Sequence, residues 1–200
     1  MREETYSAGM VSKPFWYLEF NTAAQLAAEG CGWDEIKRRA LCENLFGAAK
    51  LYRAKEIFNA VSRRVQTLDG VLLALFCESG LPVKKTLALC AVMRTDRLFF
   101  EFVNEVYRGK LELGEAKLRD VYINAFFTQK AEQGEPVASW TDYTLKKLAN
   151  SYKNVLLEAG ALRRGSDGYI LTPPVLAEPA RALFRQHGMG PCVAALTGAK

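Results

Sequence analysis

Apolar residues recur at intervals of three and four along most of this chain, so the pattern predicts one helix after another. Ser12 caps a first predicted helix with Pro14 in its opening turn, and Phe15, Trp16, Leu18, Ala23, Leu26 and Ala27 carry it toward Gly30. Gly30-Cys31-Gly32 breaks the pattern. Trp33-Asp34-Glu35 then opens a second helix with Trp33, Ile36, Ala40 and Leu41 on one face and Lys37, Arg38 and Arg39 outward. Ala48 to Leu68 gives the cleanest stripe, through Leu51, Ala54, Phe58, Val61, Val65 and Leu68, and is expected to run through the middle of a bundle. Leu81-Pro82 starts another helix. Asp96 caps one bearing Leu98, Phe99, Phe102, Val103, Val106 and Tyr107, which Gly109 is expected to end. Leu118, Val121, Tyr122, Ala125 and Phe126 mark a further helix, fading into the polar run Lys130 to Pro136 that reads as a domain boundary.

Ser139 to Leu171 carries the densest local signals. Ser139 with Asp142 has capping-box spacing, and Leu145, Leu148, Tyr152, Val155, Leu156 and Ala159 form one buried stripe. Gly160 supplies the left-handed residue that closes such a helix. Leu162 and Arg163, the turn Gly165-Ser166-Asp167-Gly168, and Tyr169 to Leu171 then read as a short hairpin stopped by Pro173 and Pro174. A helix followed at once by a small hairpin is how a winged-helix module ends. The eight residues Glu132 to Ser139 ahead of it are long for the turn of a strict helix-turn-helix. Val175 to His187 is a last short helix interrupted early by Pro179, and Gly188 to Lys200 reads as a glycine-punctuated tail. The fold class is therefore mainly α: a helical bundle over residues 1–135, then a small winged-helix-like domain over 136–200 with one β-hairpin, a C-terminal helix and the tail.

Charge gives that hairpin module a candidate use. With the stripe inward, Tyr143, Lys147, Asn150 and Asn154 project from the opposite face, Lys146 and Lys153 flank it, and Arg163 and Arg164 open the wing. Between Tyr143 and Arg164 the only acid is Glu158. Cations there would neutralise phosphates, and the asparagine amides offer the donor and acceptor pair suited to a base edge. An ordinary solvated helix face has the same composition. Lys37, Arg38, Arg39, Lys50, Arg53, Arg63 and Arg64 make a second basic surface on the predicted bundle.

Composition narrows the classes further. Half the residues are hydrophobic, enough to bury a core, and the formal net charge of +5 permits an acidic partner without demanding one. Cys31, Cys42, Cys77, Cys90 and Cys192 form no CxxC pair, and the lone His187 has no cysteine at metal-motif spacing, so neither disulfides, metal nor any cofactor is expected. Glu3 and Glu4 do not suit a secretory signal. The longest apolar runs, Val71 to Cys77 and Leu87 to Met93, are seven residues each against the ~20 that cross a bilayer, so no membrane association is expected and the location is cytoplasmic. No P-loop, GxGxxG or GxSxG is present, and Asp34-Glu35 suits the dipole of a helix start, so no catalytic residue stands out.

A series of short motifs also resembles a known family. Cys31-Gly32-Trp33-Asp34-Glu35-Ile36-Lys37, Glu43-Asn44-Leu45-Phe46, Arg64-Val65, Ser139-Trp140-Thr141 and Glu158-Ala159-Gly160-Ala161-Leu162 occur in the order seen in BrxA, a small component of the bacteriophage exclusion (BREX) defence systems. The resemblance implies an N-terminal part similar to antitermination-factor bundles, a winged-helix-like C-terminal part, double-stranded DNA binding without catalysis, and other phage-defence proteins as partners. Two further expectations stand beside it: a helical scaffold that docks other defence proteins, and an RNA-binding protein like the antitermination factors.

Overall fold

The computed structural model describes residues 5–134 and 136–198; Glu3, Glu4, Glu135 and the last two positions lie outside the described residues, and with them the expectation drawn from Glu3-Glu4. The first half is helical, with α1 (Tyr17–Ala28), α2 (Trp33–Cys42), α3 (Leu51–Val65), α4 (Gly70–Glu78) and α5 (Leu81–Thr95). α5 is the central one: every residue of its apolar run Leu87 to Met93 is buried. α1 starts later than predicted because Trp16 adopts a left-handed backbone, φ 50°, with its indole under the guanidinium groups of Arg53 at 4.8 Å and Arg64 at 5.8 Å. Ser12 therefore does not cap α1, whose N-terminal cap position is Trp16, and Leu18 is 76% exposed. Leu51 is a second correction to the predicted stripe. It opens the first turn of α3 and is 56% exposed, while Phe58, Val61 and Val65 are buried as predicted.

α6 (Arg97–Phe102), a π-helical turn (Val103–Tyr107) and α7 (Arg108–Glu112) run on through Gly109 without the predicted stop. The wider turn adds a residue to the helical repeat, and Phe102, Val103, Val106 and Tyr107 all stay buried across it. β1 (Lys117–Leu118) follows, then α8 (Asp120–Glu132), whose buried side is Ile123, Phe126, Phe127 and Lys130 rather than the predicted Val121.

α9 (Asp142–Ala159) closes at Gly160, φ 84°, as predicted, with Leu148, Tyr152, Val155 and Leu156 buried. Its cap is Thr141, not Ser139: the Thr141 hydroxyl accepts from the Thr144 N–H at 3.2 Å, while Ser139 Oγ donates to the Pro136 carbonyl. We expect Thr141→Ala to cost about 1 kcal/mol in urea unfolding and Ser139→Ala distinctly less; equal losses would contradict this cap. β2 (Leu162–Arg164) and β3 (Tyr169–Leu171) pair in the register Leu162 to Leu171 and Arg164 to Tyr169. β1 adds on the far side of β3, Leu118 opposite Tyr169, so the hairpin is part of an antiparallel sheet of order β1-β3-β2.

α10 (Glu178–Gln186) takes Pro179 in its first turn, where no N–H is needed, so proline begins this helix and does not interrupt it. The predicted tail instead forms α11 (Gly190–Thr197), with Cys192, Val193, Ala195 and Leu196 buried. One apolar core draws on both sides of the predicted boundary at 135. Tyr152 of α9 lies against Phe99, Phe102 and Phe127.

Candidate nucleic-acid interface

α9 is held from behind at its middle and at its C-terminal end. Ser151 Oγ donates to the Met10 carbonyl at 2.6 Å, and Lys85 Nζ donates to the Glu158 carbonyl near the helix end. At the wing base, the hydroxyl of Tyr107, which lies in the π-helical turn, donates to the Ala161 carbonyl at 2.9 Å. Burial pushes this phenol well up from its ordinary value. These contacts fix the helix and the start of the hairpin against the same core.

The outward face of α9 carries what the sequence predicts, with one correction. Tyr143, Lys146, Lys147, Asn150 and Asn154 are all exposed, and Lys147 Nζ lies 4.7 Å from the centre of the Tyr143 ring. Four of them, Tyr143, Lys147, Asn150 and Asn154, follow one another at helical spacing along a single line. Arg163 and Arg164 are exposed on β2, which begins just past Gly160. Lys153 does not join them. It is 7% exposed, its ammonium bonded to Asp120 Oδ1 at 2.8 Å and set 5.3 Å from the Tyr169 ring, so it ties α9 to α8 and β3. Asp120 comes from the start of α8, a partner distant in sequence, which is why helical phase alone put Lys153 on the flank.

A groove of about 510 Å³ runs between α8 and α9, with Lys146 and Asn150 on one wall and Asn124 and Thr128 on the other. Asp142 and Asp120 line it too, placing negative charge at its edges. Sequence reading missed Lys117. It belongs to β1 and sits 3.8 Å from Asp167 at the wing tip, and a two-residue strand leaves no local signal.

The second basic surface largely disperses into internal pairs. Arg38 binds Glu35 and Glu43, each at 2.7 Å, and Arg39 binds Glu35 at 2.7 Å. These bonds, Arg38 first and Arg39 next, hold the Glu35 carboxyl down at about 2. Arg53 binds Glu56 at 2.9 Å and stacks on Trp16. Arg64 is a correction. It is 4% exposed and donates to the carbonyls of Pro14 and Phe15 at 2.9 Å and of Lys13 at 3.4 Å, so it anchors the chain ahead of α1. Burial lowers it to about 10. Lys37, Lys50 and Arg63 remain exposed.

Groups of other kinds are sparse. The five cysteines are unpaired, and among the described residues no three His, Cys, Asp or Glu side chains cluster as metal ligands would. His187 Nδ1 lies 2.6 Å from Asp69 Oδ2, joining the end of α10 to the start of α4, where Asp69 also caps Leu72. No helix of the described residues is long and apolar enough to cross a membrane.

Comparison with known proteins shows the family and the fold. The BrxA family model matches residues 4–188. A BREX protein BrxA of Bacillus cereus (strain H3081.97) is 37% identical over 176 residues, covering 88% of this chain and 88% of that protein. A crystal structure of an uncharacterized protein from Magnetospirillum magneticum superposes with a TM-score of 0.79 at 19% identity, over 98% of this chain and 100% of that one, so the fold is shared end to end.

Proposed function

We propose, from the premise that this chain belongs to the BrxA family of BREX phage-defence proteins, that it binds double-stranded DNA as a non-catalytic accessory of phage defence. One observation carries this reading: the outward side of α9 exposes two lysines, two asparagines and one tyrosine, set in an element order that suits groove binding. Helix α6–α7, strand β1, helices α8 and α9 and the β2–β3 hairpin, with sheet order β1-β3-β2, follow one another as in a winged-helix module. In that reading α9 enters the major groove and the hairpin lies along the backbone. Lys146, Lys147, Arg163 and Arg164 meet phosphates, and Asn150 and Asn154 face base edges. Other BREX proteins are its partners in this reading, as membership of the system implies.

The test is fluorescence anisotropy of a labelled duplex at several salt concentrations. Four phosphate contacts give a log–log slope of roughly −3 to −4, at about 0.9 per contact. Lys147→Ala should weaken all sequences alike and flatten the slope by about one unit. Asn150→Ala should leave the slope and cost roughly 1 to 3 kcal/mol on a preferred site only. Unchanged affinity in the combined Lys147→Ala, Arg163→Ala, Arg164→Ala protein would remove this face from consideration and favour a protein-docking role. Stronger competition by RNA than by duplex DNA would favour the antitermination-like reading.

A further inference from the structure

Three of the large apolar side chains left exposed lie around one lysine, Lys85. Leu18 is joined there by Leu81, 55% exposed, and Val175, 92% exposed. A groove of about 480 Å³ at the start of α1 is lined by Pro14, Tyr17, Leu18 and Glu19 together with Lys85 and Glu158. A second hollow of about 290 Å³ continues from Lys85, lined by Leu81 and Pro82 of α5 and by Pro173, Pro174 and Val175 beyond β3. The end of α9 borders both, through Glu158 in one and Ala159 and Gly160 in the other. Single exposed apolar residues are ordinary on a protein surface, whereas several of them along connected hollows mark a surface that another protein covers.

The electrostatics select the occupant. Among the described residues, neither the Glu19 nor the Glu158 carboxylate takes part in a hydrogen bond or salt bridge. Burial raises the Glu158 carboxyl, and the charge of Glu19 adds to the rise against the lowering by Lys85. The Lys85 ammonium is directed elsewhere, donating to the Glu158 backbone carbonyl at 2.6 Å and lying 5.8 Å from the centre of the Tyr17 ring. Two carboxylates against one lysine, on a chain of net charge +5, disfavour a polyanion and favour a cation. The apolar flanks require that this cation arrive on apolar surface.

We propose that this surface docks another protein of the same defence system, through a segment that places a lysine or arginine between apolar side chains. The partner's cation pairs with Glu19 and Glu158, and its apolar residues cover Leu18, Leu81 and Val175. The surface uses none of the residues of the proposed DNA face, so the inference does not rest on DNA binding.

The test is co-expression of the tagged full chain with each protein encoded beside it in its defence system, followed by biolayer interferometry of any complex that purifies. One of them is expected to bind saturably, with affinity lowered at least tenfold by Leu18→Ser with Val175→Ser. Glu19→Gln with Glu158→Gln should also weaken the complex and flatten its dependence on salt, a signature that loss of apolar contact alone does not produce. The Lys147→Ala, Arg163→Ala, Arg164→Ala protein should hold the partner as wild type does, and the Leu18→Ser, Val175→Ser protein should match wild type toward duplex DNA, so the two surfaces fail separately. The proposal is overturned if no protein of the system binds the wild type, or if either pair of substitutions leaves the affinity unchanged. It is also overturned if light scattering shows a wild-type dimer that Leu18→Ser with Val175→Ser dissociates, which assigns the surface to a second copy of this chain. Circular dichroism of each variant separates loss of the surface from loss of the fold.

Discussion

Tyr152→Ala should lower the unfolding free energy by about 3–5 kcal/mol, the range for removing a fully buried aromatic ring. The ring is completely buried, with its centre 4.9 Å from Phe99, 5.2 Å from Phe102 and 5.8 Å from Phe127. Its loss would open a cavity where α6, α8 and α9 meet. Tyr152→Phe should do the opposite of what a polar deletion usually does. Among the described residues the hydroxyl is buried without a hydrogen-bond partner, and burial drives its pKa far above the ordinary phenol value. Removing it should be neutral or stabilise by up to about 1 kcal/mol. Urea unfolding of the two proteins side by side checks both, and a loss of more than about 1 kcal/mol in Tyr152→Phe would mean that the hydroxyl is satisfied.

Lys130→Met should cost about 3 kcal/mol, at the low end for breaking a buried ion pair. The ammonium, on a side chain only 5% exposed, lies 2.7 Å from both Glu101 and Glu105. Glu101 keeps Arg97 and the Tyr6 hydroxyl in the variant, and Glu105 is partly hydrated, which moderates the loss. Burial alone would lower the lysine pKa, but the two carboxylates outweigh it and raise the value. Glu101 is opposed by burial too, yet the bonds from Lys130, Tyr6 and Arg97 bring its carboxyl below the ordinary value of 4.5. A depressed acid stabilises fully above its unfolded pKa and loses that contribution as pH falls through the folded one. A raised lysine stabilises below 10.5 and loses it above the folded value. The difference between wild type and Lys130→Met should therefore be greatest in the neutral range and shrink at both extremes, read as melting temperature against pH.

That same lysine marks where sequence reading stopped. Lys130 opens a run of polar residues with Gly134 and Pro136, and composition makes it a linker; what makes it an anchor are two glutamates on a neighbouring helical segment. α9, its closing Gly160 and the β2–β3 hairpin were legible because each rests on neighbours in the chain: a stripe, a left-handed glycine, a four-residue turn. β1 was not, since two residues become a strand only by lying beside β3. The exposed line Tyr143, Lys147, Asn150 and Asn154 follows from helical phase alone. Lys153 and Arg64 are cations whose partners, Asp120 and the carbonyls of residues 13–15, sit far off in sequence, so phase assigned them to surfaces they do not join. The C-terminal glycines suggested a tail, and burial against the π-helical turn and α7 makes the segment a helix.

The bond between the Met10 carbonyl and Ser151 spans 141 positions of chain. Contacts of such sequence separation form late, because the closure entropy of the intervening loop must be offset by the rest of the core. On a ribosome adding roughly 5–20 residues per second, Ser151 is made about seven to thirty seconds after Met10. Through that interval the support for α9 exists without α9, and Phe15, Phe20 and their neighbours must find cover in α3 to α5 alone. Completion of the exposed face of α9 is thus a late event of synthesis. A chain stalled before residue 160 would present unburied aromatic surface to chaperones instead of a working helix.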